Sequence, residues 1–298
     1  MRIAVTGKVG QVVTALLERG PAAGIEIVAV GRPELDLADA GSVAAALAAV
    51  APDVIVSSAA YTAVDKAESE PDVAFAVNRD GAGAVATAAA RLGVPVIHLS
   101  TDYVFRGDKD GAYVEDDPVD PAGVYGASKL AGEEAVAAAN PNHAILRTCW
   151  VYSPFGANFV KTMLRLAETR DALGVVADQH GTPTSALDIA DAVIAVAKRL
   201  VEDQDPALRG VFHLTGSGDG TWADFAEEIF VGLSAVTGKQ MTVNRITTAD
   251  FPTPAKRPAN SRMSGEKLTR LYGVTLPEWR VSTASVVGRL LAKEDAPA

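Results

Sequence analysis

The chain has 298 residues, one cysteine and a formal net charge of −10, and 48% of its residues are hydrophobic. This length provides for one large or two smaller domains with a sizeable core, and the acidic balance argues against nucleic acid or an anionic membrane as a partner. The single Cys149 excludes an internal disulfide and suits a reducing compartment, and no apolar stretch reaches the roughly 18 residues of a membrane span, so we expect a cytoplasmic protein.

A glycine turn follows the first predicted strand. Residues 3–6 form a short apolar run, Gly7-Lys-Val-Gly10-Gln11 follows, and a helical pattern covers residues 12–19. Strand, glycine turn and helix in this order are typical of a dinucleotide site, because glycines let the backbone approach a pyrophosphate at the helix N-terminus. We therefore expect cofactor contacts at Gly7 and Gly10, with an ordinary strand-to-helix turn as the alternative. A third glycine position falls on Val13, which puts close helix–strand packing in question.

The end of the second strand, residues 26–31, bears on the choice of cofactor. A site for NAD usually carries an acid there to bind the ribose 2′-hydroxyl, whereas this strand is followed by Arg32, which suits a 2′-phosphate. The sequence therefore favours NADPH, with NADH as the alternative because Glu34 is near, and a solvated surface arginine as the other interpretation. Asp36 and Leu37 follow in a loop that can reach an adenine.

Strands and helices then alternate, which predicts an α/β fold with a parallel sheet covered on both faces. A helix is expected over residues 42–50, a strand over 53–57 and a long helix over 68–92. Ala60, Tyr61 and Thr62 lie just past the carboxyl end of the third strand, where such sheets bind ligands. Asn78 is the polar residue of interest on the long helix, and a backbone-bonded asparagine is the alternative interpretation.

Hydroxyl and amine groups gather after the fourth strand, residues 95–100. That strand leads into Thr101 and Asp102, and a loop over 106–123 precedes a helix with Tyr125 and Lys129. The i, i+4 spacing puts both side chains on one helix face, where the ammonium lowers the pKa of the phenol. A hydroxyl that donates to a carbonyl oxygen, beside a tyrosine that protonates it, is what carbonyl reduction by hydride transfer requires.

The second half of the chain has a different pattern. We predict strands over 143–147, 211–215 and 241–246, helices over 158–168, 188–201 and 221–231, a polar turn over 175–184 and a proline-broken segment over 253–258. We expect residues 1–150 to form a dinucleotide-binding domain and residues 151–298 to form mainly a smaller lobe, with the helix near 188–201 returning to the sheet. Residues 293–298 are expected to fray.

Together these motifs resemble the extended short-chain dehydrogenase/reductase superfamily, and within it they are most similar to the dTDP-4-dehydrorhamnose reductase family. The similar stretches run nearly the whole chain in the family's order; they include Ala59-Ala-Tyr-Thr62, Ser100-Thr-Asp-Tyr-Val-Phe105, Tyr125-Gly-Ala-Ser-Lys129, Asp178-Gln-His-Gly-Thr-Pro-Thr184 and Arg257-Pro-Ala-Asn-Ser261. The resemblance implies a Rossmann-type doubly wound parallel sheet with a smaller C-terminal substrate-binding lobe. It also implies NADPH-dependent reduction of the 4-keto group of a dTDP-deoxysugar, dTDP-4-dehydro-L-rhamnose, in dTDP-L-rhamnose biosynthesis.

The resemblance also assigns residues to roles. It implies a catalytic triad of Thr101, Tyr125 and Lys129, contacts of Thr101, Asp102 and Trp150 with the substrate, and cofactor contacts of Gly10, Gln11, Val12, Asp36, Leu37, Ala60, Tyr61 and Thr62. Ser58 replaces the family's usual asparagine, and this departure, like Val13, bears on cofactor affinity. Some members bind magnesium at a dimer interface through glutamates that have no counterpart we can place here, so we expect no metal, in a monomer or homodimer.

Two other functions remain open from the sequence. A sugar-nucleotide dehydratase or epimerase of the same superfamily is the first, but a dehydratase needs a second carboxylate after the threonine, and Tyr103 follows Asp102 here. A non-catalytic NADP-binding regulatory subunit is the second, which the intact Tyr125 and Lys129 pair disfavours. For Trp150, a core aromatic is the alternative to substrate contact.

Overall fold

The computed structural model describes residues 1–292, and its centre is one sheet of six parallel strands. Strands buried on both faces read as continuous apolar runs, as in Val54-Ile-Val-Ser57, whose four residues are all buried. The six strands are, in chain order, β1 (Arg2–Thr6), β2 (Glu26–Val30), β3 (Val54–Ser57), β4 (Val96–Thr101), β5 (His143–Thr148) and β10 (Gly210–His213).

The strand order across the sheet is β2, β1, β3, β4, β5 and β10. The chain moves from β1 outward to β2 and then returns across β1 to β3, so the direction of winding reverses between β1 and β3. In open parallel sheets the crevice for a ligand lies at this reversal, outside the carboxyl ends of the strands.

Helices cover both faces of the sheet, which confirms the predicted doubly wound α/β fold. One apolar core joins Ile3 and Val5 of β1 to helices α1 and α8, and the opposite face of β1, at Ala4, packs with helices α2, α5 and α6. These helices are α1 (Gln11–Arg19), α2 (Ala40–Val50), α5 (Ala82–Leu92), α6 (Val124–Ala139) and α8 (Ala186–Glu202).

The long helix predicted over 68–92 is divided in the structure. A short α3 (Val64–Ala67) precedes it, and the helix itself begins at Pro71 as α4 (Pro71–Phe75), passes through a widened π turn (Ala76–Gly81) and continues as α5. Proline at the first helical position fits this start because its missing N–H has no partner there anyway. Such π turns often occur at functional sites, and this one contains Asn78.

The remaining elements lie mainly after residue 150. Three pairs of short strands form two-stranded sheets: β6 with β9, β7 with β12 and β8 with β11. The strands are β6 (Val151–Tyr152), β7 (Ala172–Val176), β8 (His180–Gly181), β9 (Thr184–Ser185), β11 (Gly220–Thr221) and β12 (Thr242–Ile246), and the helices are α7 (Phe159–Ala167), α9 (Trp222–Thr237), α10 (Glu266–Tyr272) and α11 (Trp279–Ala292).

Two features of this half differ from the sequence prediction. The turn predicted over 175–184 contains strand residues, because β7 pairs in parallel with β12. We predicted that one helix, near 188–201, returns to the central sheet. Helix α8 does so and packs on α1, and β10 also joins the sheet beside β5. The apolar core runs without a break from Ile3 to Leu291, and the division near residue 150 remains a prediction.

No helix within residues 1–292 is both long enough and apolar enough to cross a membrane. The expected fraying of residues 293–298 lies outside the described residues.

Candidate active site

The carboxyl edge of the sheet brings together segments that are far apart in the sequence. The glycine turn follows β1, residues 60–62 follow β3, and β4 ends on Thr101. Helix α6, with Tyr125 in its first turn and Lys129 one turn later, packs against β4 and the 3-10 turn Asp102–Val104. The predicted cofactor and catalytic segments therefore share one edge of the sheet.

Thr101 and Asp102 are both buried at this edge. The Thr101 hydroxyl donates to Asp102 Oδ1 at 3.0 Å and accepts a hydrogen bond from the Tyr103 N–H at 3.3 Å. Burial raises the pKa of Asp102 to about 6, although the nearby hydroxyls of Ser261 and Thr101 act in the opposite direction. The second oxygen of Asp102, Oδ2, is buried and makes no well-aligned hydrogen bond to residues 1–292.

Tyr125 is partly buried, and its ring meets the Tyr103 ring edge-on with the centroids 5.3 Å apart. Burial raises the pKa of Tyr125, the adjacent Thr101 hydroxyl lowers it, and the charge of Asp102 raises it further. The sequence led us to expect that Lys129 lowers this pKa, but burial outweighs any such effect in this geometry. The phenol therefore keeps its proton at neutral pH and is equipped to act as an acid.

Lys129 is buried, and its ammonium group contacts β4 rather than pointing only toward Tyr125. Its Nζ donates to the Leu99 carbonyl oxygen at 2.6 Å and lies 3.3 Å from His98 Nε2. Burial lowers the pKa of Lys129 to about 8, and the charge of Glu133 opposes this shift. Glu133 is itself paired with Arg147, so Lys129 has neutral groups as its direct partners.

Three polar groups in this region were not predicted from the sequence: His98, Glu133 and Ser57. His98 Nδ1 lies 3.1 Å from Ser57 Oγ on the neighbouring strand, and both side chains are buried. The signal that points to them is a histidine inside an otherwise apolar strand and a glutamate four residues after Lys129. Neither signal is specific without the sheet register that brings them together.

The glycine turn has the form expected of a phosphate cradle. Gly7 has φ +101°, and a Cβ there would lie 3.4 Å from Val13 Cγ2 and 3.5 Å from Ala59 Cβ. Val13 is buried under this turn, so the helix accommodates a valine where the pattern has a third glycine. The N–H groups of Gln11 and Val12, at the start of α1, have no intrahelical partner, which suits a pyrophosphate.

The Gln11 side chain ties the glycine turn to the second half of the chain. Its Oε1 accepts hydrogen bonds from Ser153 Oγ at 2.7 Å and Asn158 Nδ2 at 3.0 Å. Gln11 is thus placed at the cofactor edge, with its side chain bonded to protein groups and its backbone N–H at the helix start.

Arg32 is exposed at the end of β2, where an adenosine ribose would lie. Glu34, which left NADH open, is paired with Lys8 of the glycine turn, and this contact lowers the pKa of the Glu34 carboxyl. Lys8 thereby offsets the charge of Glu34, and the positive charge of Arg32 remains to favour a phosphate. Asp36 Oδ1 accepts from a backbone N–H in its own turn, and Leu37 is buried beneath it.

Asn78 fixes the backbone of the loop after β3. Its Oδ1 accepts from the Tyr61 N–H at 2.8 Å, and its Nδ2 donates to the Tyr61 carbonyl at 3.1 Å and to Ser128 Oγ at 2.9 Å. The backbone-bonded interpretation of Asn78 is therefore confirmed. Since Ser128 lies on α6 between the two catalytic candidates, Asn78 also links that helix to the cofactor loop. At Ser58, the backbone N–H donates to the Thr6 hydroxyl at 3.0 Å.

Ala60 and Tyr61 are half-buried and Thr62 is exposed, so this loop presents surface to the crevice.

Trp150 sits in a strained position with φ +48°. Its indole stacks on Trp222 with the ring centroids 3.8 Å apart, and a Cβ at Gly181 would lie 2.5 Å from the ring. Trp150 remains half-buried and packs against the apolar core with part of its surface accessible. Trp222 was not predicted, because an aromatic residue at the start of a helix carries no specific signal.

The motif residues Asp178 and Arg257 hold segments together. The Asp178 carboxylate accepts hydrogen bonds from the N–H and hydroxyl of Thr248. Arg257 donates to Asp65 at 2.6 Å and to the Tyr103 hydroxyl at 3.1 Å, which joins the proline-broken segment to α3. Among residues 1–292, no group of three or more histidine, cysteine or acidic residues could hold a metal ion.

Comparison with known proteins identifies relatives over the whole chain. The family model described as RmlD substrate binding domain matches residues 1–292. The dTDP-4-dehydrorhamnose reductase of Sinorhizobium fredii is 58% identical over 291 residues, which cover 98% of each chain.

Solved structures agree with this likeness. A dTDP-4-dehydrorhamnose reductase structure from Clostridium acetobutylicum has a TM-score of 0.90 at 37% identity and covers 98% of this chain and 100% of its own. The Bacillus anthracis dTDP-4-dehydrorhamnose reductase in complex with NADP has a TM-score of 0.86 at 33% identity, with 98% and 99% covered.

Proposed function

The chain belongs to the RmlD family of dTDP-4-dehydrorhamnose reductases, and from this premise we propose its reaction and the residues that carry it. The chain is an NADPH-dependent oxidoreductase that reduces the 4-keto group of dTDP-4-dehydro-L-rhamnose to give dTDP-L-rhamnose. The observation that carries the assignment of residues is the meeting of Thr101, Tyr125 and Lys129 at the sheet edge that also holds the glycine turn.

The residues present fit NADPH. The positive φ of Gly7 and the unpaired N–H groups of Gln11 and Val12 suit a pyrophosphate, and Arg32 suits the 2′-phosphate. When bound, NADPH supplies the hydride that the carbonyl carbon accepts. Asp36, Leu37 and the loop over residues 60–62 would line the adenosine side of the same crevice.

The chain's own contribution is to orient the carbonyl and to move a proton. Thr101 turns its single O–H from Asp102 Oδ1 to the C4 carbonyl oxygen, and Tyr125 delivers its proton to that oxygen as the alkoxide develops. Because burial raises the pKa of Tyr125, the phenol is protonated at the start, and the alkoxide is basic enough to remove the proton. General acid catalysis of this kind contributes roughly 10²–10⁴-fold.

Lys129 stabilises the phenolate left after proton transfer and holds the ribose hydroxyls of the nicotinamide. Its pKa of about 8 leaves it mostly charged at neutral pH, as this role requires. We assign Asp102, whose Oδ2 makes no well-aligned hydrogen bond to residues 1–292, and the half-buried Trp150 to binding of the deoxysugar. The position after Asp102 is Tyr103, which cannot act as the second carboxylate of a dehydratase.

We further propose that the enzyme works in the cytoplasm as a monomer or homodimer. The support is the buried, unpaired Cys149, which suits a reducing compartment.

The test is to follow NADPH oxidation by the purified protein with dTDP-4-dehydro-L-rhamnose, with NADH in a parallel assay, and to identify the product by mass spectrometry. We expect dTDP-L-rhamnose in equal amount to the NADPH consumed, and a preference for NADPH over NADH. Binding of NADPH without turnover would contradict the proposed substrate, and turnover with retained, unreleased cofactor would indicate a dehydratase or epimerase.

A further inference from the structure

We propose that His98 is a positioning residue that fixes the direction of the Lys129 ammonium group. His98 lies in the middle of β4, and the sheet register places it beside Ser57 of β3. One ring nitrogen faces Ser57 Oγ at 3.1 Å and the other faces Lys129 Nζ at 3.3 Å. The kinetic part of this inference rests on the proposed function, whereas its structural part does not.

Chemistry assigns the tautomer of this imidazole. A lysine ammonium has three donors and no acceptor, so His98 Nε2 must accept from Lys129. The proton of a neutral imidazole is then on Nδ1, which donates to Ser57 Oγ. Burial, followed by the charge of Lys129, holds the pKa of His98 well below its usual value, so the ring stays neutral and the acceptor is kept. Lys129 therefore selects the tautomer, and Ser57 Oγ, which can accept as well as donate, takes the Nδ1 proton.

The count of donors then fixes where Lys129 can act. The Leu99 carbonyl takes one N–H at 2.6 Å, and His98 takes a second. Because the ammonium is tetrahedral, two fixed donors leave the third with one direction. Without His98 Nε2, the Leu99 carbonyl alone restrains the ammonium, and its third N–H is held less firmly. His98 thus fixes the direction of the third Lys129 N–H, which the phenolate and the ribose require as a donor.

The charged groups around Lys129 do not supply this restraint. Glu133, one turn along α6, favours the charged lysine, but both its oxygens are bonded to Arg147 of β5. His143 at the start of β5 acts on His98 only at a distance and lowers its pKa. Since a hydrogen bond to the ammonium stabilises the charged form, loss of His98 Nε2 lowers the pKa of Lys129 below about 8.

The variants that separate positioning from packing are His98→Leu, which removes the acceptor, and His98→Gln, whose amide oxygen can replace Nε2. His213→Leu is the matched control, because His213 is also a buried histidine of the central sheet and its ring packs on Phe105. All three proteins are compared with wild type for stability, so that a general loss of folding is visible in the control as well.

The first readout is ¹⁵N NMR of the histidine rings and of the Lys129 ζ-nitrogen through a pH titration of the whole protein. We expect His98 to carry its proton on Nδ1, and the Lys129 titration to move to lower pH in His98→Leu but not in His98→Gln or His213→Leu. A proton on Nε2, or an unchanged Lys129 titration in His98→Leu, overturns the inference. This readout needs no activity, so it stands even where the proposed substrate fails.

The second readout is kinetic. Because Lys129 must be charged, turnover should decline as pH rises through about 8, and the decline should begin at lower pH in His98→Leu. Near neutral pH we expect kcat to fall roughly 10- to 100-fold, with KM for the dTDP-sugar little changed and with recovery in His98→Gln. Equal losses in His98→Gln or in His213→Leu would show that packing alone is involved and would refute the positioning role.

Discussion

At the scale of single residues, burial dominates the chemistry of the site. Asp102 and Lys129 both lose water on folding, and in both the charged form is disfavoured, so the pKa of the carboxyl rises and that of the amine falls. Perturbed groups of this kind cluster at functional sites because function, rather than stability, requires them there. We therefore expect the site to cost stability.

Asp102→Asn tests this cost. The pKa of Asp102 is about 6 in the folded chain and 3.8 in the unfolded chain. Between these pH values the folded state binds more protons than the unfolded state, so the free energy of unfolding falls as pH rises. Asparagine removes this penalty, so the variant should be more stable than wild type at about pH 8, by up to roughly 3 kcal/mol, and little different near about pH 4. Urea denaturation at both pH values measures the difference.

The exposed Asp110→Asn is the control, and it should change stability little at either pH. Greater stability of Asp102→Asn should be accompanied by a higher KM for the dTDP-sugar, because the buried carboxylate oxygen is lost. A less stable Asp102→Asn at about pH 8 would show that burial of the charged carboxyl does not cost stability.

At the same scale, we propose that Arg32 selects the cofactor. Arg32→Gln should raise the Kd for NADPH roughly 10- to 100-fold and leave the Kd for NADH unchanged, because only NADPH carries the 2′-phosphate that the guanidinium binds. Fluorescence titration with each nucleotide measures both constants. Arg91→Gln, an exposed arginine at the far end of α5, should alter neither. An equal loss for both nucleotides would show that Arg32 acts on the shape of the loop instead.

At the scale of elements, α6 can reach its position only because two of its residues have no side chain. A Cβ at Gly126 would lie 2.2 Å from the Tyr103 carbonyl oxygen, and one at Gly132 would lie 2.1 Å from that of Asn78. The close approach at Gly126 holds α6 against the 3-10 turn that carries Asp102. The close approach at Gly132 holds α6 against the π turn, whose Asn78 bonds to Tyr61. The packing of α6 therefore sets the distance between Tyr125, the proton donor, and the loop over residues 60–62.

Gly132→Ala should destabilise the protein by about 1–3 kcal/mol and lower turnover, because backbone rather than a flexible side chain blocks the added methyl group. Gly288→Ala is the matched control: it is also a helix glycine, but no atom within 4 Å would meet its Cβ. It should be neutral or stabilising by about 0.5–1 kcal/mol. Thermal denaturation and initial rates compare the two, and similar behaviour of both variants would refute the close-packing explanation.

At the scale of the whole molecule, the sequence was sufficient for the doubly wound fold and for the first five strands of the sheet. Patterns of apolar runs and glycine turns depend on neighbours in the chain, so β1 to β5, the Thr221 helix cap and the strand at 242–246 were predictable. The return of β10 to the sheet could not be predicted, because a four-residue edge strand has the same sequence pattern whether it belongs to the central sheet or to the second lobe. The π turn was also missed, because the helical pattern over 68–92 runs through it without a break.

The same limit applies to the site. Thr101, Tyr125 and Lys129 were indicated by spacing and strand ends, which the sequence contains. His98 and Trp222 were missed because their partners, Lys129 and Trp150, lie on other elements and only the register brings them together. From Lys129, its neighbour on the helix, we expected the pKa of Tyr125 to be lowered, whereas burial within the folded molecule raises it.

We propose that Thr101, Tyr125 and Lys129 carry out the reduction, and Tyr125→Phe is the decisive variant. Phenylalanine keeps the ring that packs on Tyr103 and removes only the hydroxyl that supplies the proton. At saturating NADPH and dTDP-4-dehydro-L-rhamnose, we predict that the rate of NADPH oxidation falls roughly 10²–10⁴-fold while the Kd for NADPH stays within a few-fold of wild type. A variant that keeps near-full turnover would contradict the account, because another group would then have to protonate the alkoxide.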